Sequence, residues 1–207
     1  MVLNQLMIMV VGLLCGSLLF GSFLPRLFKK MDVTELAEDH NPGTANAMKY
    51  AGVPVGILCL IGDIFKGVLP IHLALHLGLE TGSLFPLVMA APVFGHAYSL
   101  FHHGKGGKAI AVSFGVLIGL LPVNSDLLAL LCFLYILNST LLRINPHTRR
   151  TRITFICFTV CATALMLLKR VPTEFWLGVL LLSWVVIHKN SLKQEGKEIT
   201  AAEEVFN

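Results

Sequence analysis

Uncharged stretches set the limits on what this chain can fold into. Residues 82–94 and 109–123 contain no Asp, Glu, Lys or Arg, and several further runs are nearly as clean. Runs of about 18 or more apolar residues read as membrane helices. With 55% hydrophobic and 14% charged residues among 207, and a mean hydropathy of +0.76, the chain exceeds what a soluble core of this size needs. The runs are continuous rather than alternating, which argues against a β-barrel. The expected fold is all-α: a polytopic integral membrane protein with seven transmembrane helices.

The seven spans are expected over residues 3–24, 50–77, 82–101, 109–121, 127–142, 153–168 and 175–188. The first has no basic residue before Arg26 and is expected to stay in the protein. It carries Gly12, Gly16, Ser17 and Gly21, small residues that permit close helix packing. Leu24-Pro25-Arg26 is expected to end it, and Pro86 and Pro92 to kink the third span. Residues 1–190 form the membrane domain, and 191–207 a polar, solvated tail. The five cysteines all fall within apolar runs and read as small buried hydrophobes. Asp63 and Lys66 lie three apart on one face of span two and read as a structural ion pair tying helices together.

Charge fixes the orientation. With seven spans, the odd-numbered loops and the tail share one side and hold thirteen of the sixteen Lys and Arg residues. That side is the cytoplasm, so the N-terminus is outside and the tail inside. The net charge of +4 is therefore one-sided. It suits anionic membrane lipids and phosphorylated substrates, and nothing points to nucleic acid. Arg143, Arg149, Arg150 and Arg152 read as a basic loop that sets topology.

On the same side, Gly95-His96-Ala97-Tyr98 is followed by Lys105-Gly106-Gly107-Lys108, between two apolar runs. Glycines let backbone N–H groups approach an anion, and lysines supply charge. Lys105 and Lys108 could otherwise be snorkelling lysines at a helix end. His96 could contact substrate or simply brace the loop.

This central motif resembles that of the acyl-phosphate:glycerol-3-phosphate acyltransferases, bacterial integral membrane enzymes. The similarity extends along nearly the whole chain. Gly16-Ser17-Leu18-Leu19-Phe20-Gly21 resembles the family's Gly-Ser-x-x-x-Gly. Asn41-Pro42-Gly43-Thr44-Ala45-Asn46 resembles Asn-x-Gly-Ala-Thr-Asn, and Asp63-Ile64-Phe65-Lys66-Gly67 resembles Asp-x-x-Lys-Gly. Lys49 stands where the family has a phosphate-holding arginine, and His188 and Asn190 where it has a histidine and an asparagine. The chain departs from the pattern at Asp39-His40, where the family has Ser-Gly, and at Ala109, where it has glycine. His188 and Asn190 are also one residue closer together than in the family.

The resemblance implies transfer of an acyl chain from acyl phosphate to the 1-hydroxyl of glycerol 3-phosphate, giving lysophosphatidic acid for phospholipid synthesis at the bacterial plasma membrane. It implies catalytic roles for Lys108, His96 and His188. Substrate binding would fall to Ser17, Asn41, Gly43, Asn46, Lys49, Lys105, Gly106, Gly107 and Asn190. No metal or organic cofactor is implied. The departures leave two alternatives open: a relative that binds phospholipid or acyl phosphate without turnover, or an acyltransferase with another phosphorylated acceptor.

Overall fold

The computed structural model describes residues 1–206, with side chains through Leu192. The described residues are helical, with no strand among them. Ten α-helices follow in order: α1 (Val2–Ser17), α2 (Phe20–Lys29), α3 (Val33–Leu36), α4 (Thr44–Ala51), α5 (Val53–His76), α6 (Phe85–Ala97), α7 (Ile110–Gly119), α8 (Asp126–Ile136), α9 (His147–Leu167) and α10 (Thr173–Phe206).

Three of these, α5, α9 and residues 173–192 of α10, are long and apolar enough to cross a membrane. The α1–α2 pair makes a fourth if its 43° bend lies within one span. Shorter apolar helices, α7 and α8 with its π-helical extension to Leu141, complete the bundle. Large apolar side chains cover the outside. Ile57, Ile61 and Phe65 repeat every four residues along α5, and Leu177, Leu181 and Trp184 line α10. A stripe this apolar faces lipid, not water. The fold is that of a helical membrane protein.

Helix α6 packs between α1 and α10, while α7 packs on α5. The crossings are close because glycines face backbone. A Cβ on Gly16 would stand 2.3 Å from Pro92 O, and one on Gly95 2.3 Å from Leu13 O. Gly67 and Gly115 make the same kind of contact between α5 and α7. Phe85, Met89, Leu117, Leu131, Phe155, Phe158 and Leu182 fill the core.

Several expected boundaries move. The first span does not end at Pro25. It breaks earlier, at Leu18-Leu19, and Pro25 sits inside α2. The break has a buried partner, because Leu18 O accepts a hydrogen bond from Lys66 Nζ at 2.6 Å. The second span divides at Gly52, whose φ of +95° only glycine holds easily. Pro86 opens α6 rather than kinking it, as a proline in the first turn displaces no hydrogen bond. The basic loop is partly helix: α9 starts at His147, one residue after Pro146, so Arg149, Arg150 and Arg152 lie on its first turns. Only Cys59 is fully buried; the other four cysteines are half-exposed, and all five are free. Helix α10 continues through residue 190 without a break. The solvated character expected of the tail concerns side chains that, from residue 193 on, lie outside those described.

Candidate functional site

Loop one, between α3 and α4, meets the glycine–lysine loop at a cavity of about 530 Å³. Its polar lining includes Asp39, Asn41, Asn46, Asp63, His96 and Lys108. Its apolar lining includes Met48, Leu60, Ile110 and Phe114. Tyr135 and His147 from α8 and α9 also line it.

Loop one is built around Asp39. Its Oδ1 accepts from Asn46 Nδ2 at 2.8 Å and from the Asn41 N–H at 3.3 Å. Asn46 also donates to Asn41 O at 2.9 Å, which closes the turn, and Gly43 caps α4. Asp39 Oδ2 accepts from Lys108 Nζ at 2.9 Å, joining loop one to the glycine loop. The loop is anchored upstream by Asp32, which caps α3 through Thr34 N–H and pairs with Arg26. Burial pushes the Asp32 carboxyl up, but the Thr34 and Arg26 hydrogen bonds and the guanidinium charge together hold it below the usual carboxylate value.

Gly106 and Gly107 do something other than present N–H groups to the cavity. Neither lines it. A Cβ on Gly106 would stand 2.1 Å from His96 O, and one on Gly107 2.1 Å from His96 Nε2. The Gly107 N–H donates to His96 O at 3.0 Å. The glycines thus let the loop close onto the end of α6, and this placement puts Lys108 at the cavity. The next residue, Ala109, takes φ +61° at the N-cap of α7. That left-handed conformation costs a non-glycine residue about 1 kcal/mol, and it is the position where the resembled pattern has glycine.

Under the loop lies a buried polar cluster. Lys66 Nζ lies 2.8 Å from Asp63 Oδ1 and 2.7 Å from His96 Nδ1, besides its bond to Leu18 O. The pair on α5 therefore reaches both α1 and α6. Ser17 is buried beside it. Its Oγ donates to Leu13 O and accepts from Leu100 N–H, and its carbonyl accepts from Ser99 Oγ. Ser17 braces the segment before the glycine loop and is absent from the cavity lining.

The last two sites separate. Asn190 is fully buried, and its Nδ2 donates to Lys108 O at 3.3 Å and to Val186 O at 2.7 Å. His188 is exposed, stacked on Trp184 and 2.7 Å from Tyr98 Oη, outside the lining. Two residues apart on a helix is a turn of about 200°, so the two side chains point to opposite faces. Lys49 is exposed over the Tyr50 ring and Lys105 is exposed in its loop, both outside the lining. The sequence reading did not single out Asp39, Tyr135 or His147. Asp39 was visible only as a departure from the resembled motif, and the other two had no local signal.

Among the described residues, no group of three or more His, Cys, Asp or Glu side chains could hold a metal ion.

Comparison with known proteins bears on the fold and the family. The model of the family described as glycerol-3-phosphate acyltransferase matches residues 6–196. A glycerol-3-phosphate acyltransferase of Pseudomonas paraeruginosa is 39% identical over 113 residues, covering 55% of this chain and 59% of that protein. One from Lacticaseibacillus casei is 36% identical over 113 residues, covering 55% and 54%. The chain thus spans a little over half the length of the curated relatives it matches. Among solved structures, PlsY (YgiH), an integral membrane glycerol 3-phosphate acyltransferase crystallised in its glycerol 3-phosphate form, superposes with a TM-score of 0.78. Identity is 20%, covering 96% of this chain and 93% of that one, so the fold is shared along almost the whole length. The chain belongs to the glycerol-3-phosphate acyltransferase family.

Proposed function

We propose that this protein moves an acyl chain from acyl phosphate to the 1-hydroxyl of glycerol 3-phosphate, releasing phosphate and lysophosphatidic acid. The observation that carries this is one cavity holding the Lys108 ammonium, the loop-one asparagines and an apolar wall of Met48, Leu60 and Phe114. An acyl phosphate has the same two halves. In the reaction the hydroxyl oxygen bonds to the acyl carbon, the carbon–phosphate oxygen bond breaks, and the hydroxyl proton leaves on the phosphate. The leaving group accepts that proton, so no dedicated base is required. The protein's work is to neutralise phosphate charge and align the hydroxyl. Lys108 and His96 are the cavity groups for this, with Asn41, Gly43 and Asn46 shaping the acceptor side. Asn190 holds Lys108 through its carbonyl.

The chain sits in the bacterial plasma membrane as seven spans. The bent α1–α2 pair and the shorter helices α6, α7 and α8 join the three long ones. The basic side, with the cavity and tail, faces the cytoplasm. A second reading, binding of phosphorylated lipid without turnover, is favoured by one observation: Asp39 already engages Lys108.

The test is phosphate release from palmitoyl phosphate by the purified protein, with and without glycerol 3-phosphate, beside Lys108→Ala. Acceptor-dependent release that the substitution abolishes supports transfer. Release indifferent to acceptor and substitution, or none at all, rules transfer out and leaves binding.

A further inference from the structure

Lys66 is 2% exposed and touches three acceptor atoms: Leu18 O at 2.6 Å, Asp63 Oδ1 at 2.8 Å and His96 Nδ1 at 2.7 Å. An ammonium has three hydrogens and no lone pair. The Asp63 carboxylate supplies the counter-charge that a buried ammonium needs. Two of the hydrogens are directed at Leu18 O and His96 Nδ1, while Asp63 Oδ1, which also lies 3.6 Å from Nδ1, balances the charge; facing an ammonium at 2.7 Å, His96 Nδ1 is an acceptor. A hydrogen on Nδ1 would point straight at the ammonium.

A neutral imidazole carries one hydrogen, so a bare Nδ1 places it on Nε2. Nε2 is the nitrogen turned toward the glycine loop: a Cβ on Gly107 would come within 2.1 Å of it. His96 also lines the cavity that Lys108 and Asp39 line. The charged or titratable groups around this cluster include Asp63 and Lys66 on α5, Cys59 one turn before Asp63 on the same helix, Asp39 in loop one and Lys108 in the glycine loop.

We infer that Asp63 and Lys66 are positioning residues that lock His96 in the Nε2–H tautomer, so that it donates a hydrogen bond to an anionic oxygen of the bound substrate rather than accepting a proton. The identity of that oxygen, on the acyl or the phosphoryl group, rests on the acyl-transfer reading; the tautomer does not. The lock also gives the buried pair a purpose beyond tying helices. A hydrogen-bonded lysine fixes which histidine nitrogen is a donor, and a donor in a water-poor site stabilises developing negative charge.

The first experiment is ¹⁵N NMR of the full chain in lipid nanodiscs with ¹⁵N-labelled histidine, His96 being assigned by its absence in His96→Gln. A single neutral tautomer with hydrogen on Nε2, unchanged from pH 6 to pH 8, is expected. Hydrogen on Nδ1, an imidazolium, or a mixture overturns the inference. This measurement needs no turnover, so it decides the matter even if acyl transfer fails.

The second experiment compares two substitutions in the palmitoyl phosphate assay. His96→Gln keeps a donor near the Nε2 position and loses the acceptor for Lys66. His96→Asn keeps the acceptor near Nδ1 and loses the donor. A donor role predicts that Gln retains at least tenfold more kcat than Asn. A purely structural role predicts the reverse, and Asn equal to or better than Gln overturns the proposal.

Discussion

Lys108 Nζ donates to Asp39 Oδ2 at 2.9 Å, an ion pair that closes loop one onto the glycine loop across 69 positions of sequence. Both groups are mostly buried, with side-chain exposures of 14% and 18%. The lysine proposed to meet a phosphate is thus already held by a carboxylate. Removing that charge without removing the shape, as in Asp39→Asn, is expected to strengthen anion binding. The KM for palmitoyl phosphate should fall several-fold, and inorganic phosphate should inhibit at lower concentration. Lys108→Ala should lower kcat/KM about a hundredfold, the usual scale for losing a group that stabilises transition-state charge. Steady-state kinetics on both variants check this, and an unchanged or raised KM in Asp39→Asn counts against it.

Asn190 and His188 should differ sharply. Asn190 is buried against the Lys108 carbonyl, whereas His188 is on the opposite helix face with Trp184 and Tyr98. Asn190→Ala is expected to lower kcat at least tenfold. His188→Ala should leave it within about threefold, since the lost contacts are exposed ones worth of order 1 kcal/mol or less. Equal losses in the two variants would show that His188 reaches the substrate.

The α5–α7 crossing is a stability test. A Cβ on Gly67 would stand 2.4 Å from Val112 O, and one on Gly115 2.1 Å from Ile64 O. Both obstacles are backbone and cannot swing aside. Gly67→Ala and Gly115→Ala should each destabilise the protein by about 1–3 kcal/mol or more, as overpacking does. Gly78→Ala is the control. It has open space around it and a φ of +62°, so its cost is backbone strain of about 1 kcal/mol. Thermal unfolding in detergent should rank both crossing variants well below the control.

Acid should loosen the corner between α2 and α3. The Asp32 carboxyl is held below its ordinary value in the folded protein. Its contribution is therefore fully present above the unfolded value of 3.8 and is lost as pH falls through the lower folded value. Hydrogen exchange at the Thr34 amide should speed up in that window in the wild type. Asp32→Asn has no carboxyl to titrate there, so it should lack this acid-dependent step.

Sequence alone determined the class of molecule, because burial of backbone in lipid admits few solutions and uncharged runs of this length reveal which one applies. It also pointed to loop one, the glycine loop and the end of the last helix as the expected site, since their Asn, Gly and Lys spacings persist in the linear chain. What it could not show is contact between residues far apart. Asp39 looked like a substitution in a motif and proved to be the hub of loop one, because its partners are Asn46 next door and Lys108 far away. Asp63 and Lys66 looked like a pair within one helix, and the fold added Leu18 O and His96 as further partners. The two loop glycines suggested an anion cradle, but their close fit to the end of α6 explains them by packing. The one-residue shift between His188 and Asn190 was visible in the sequence. Its consequence needed the helix to continue through both, since only then does a spacing of two place one side chain inside and the other outside. Local pattern fixes which residues are apolar, small or charged, whereas their partners depend on how the helices cross. In this chain those crossings follow from glycines meeting backbone at Gly16, Gly67, Gly95 and Gly115.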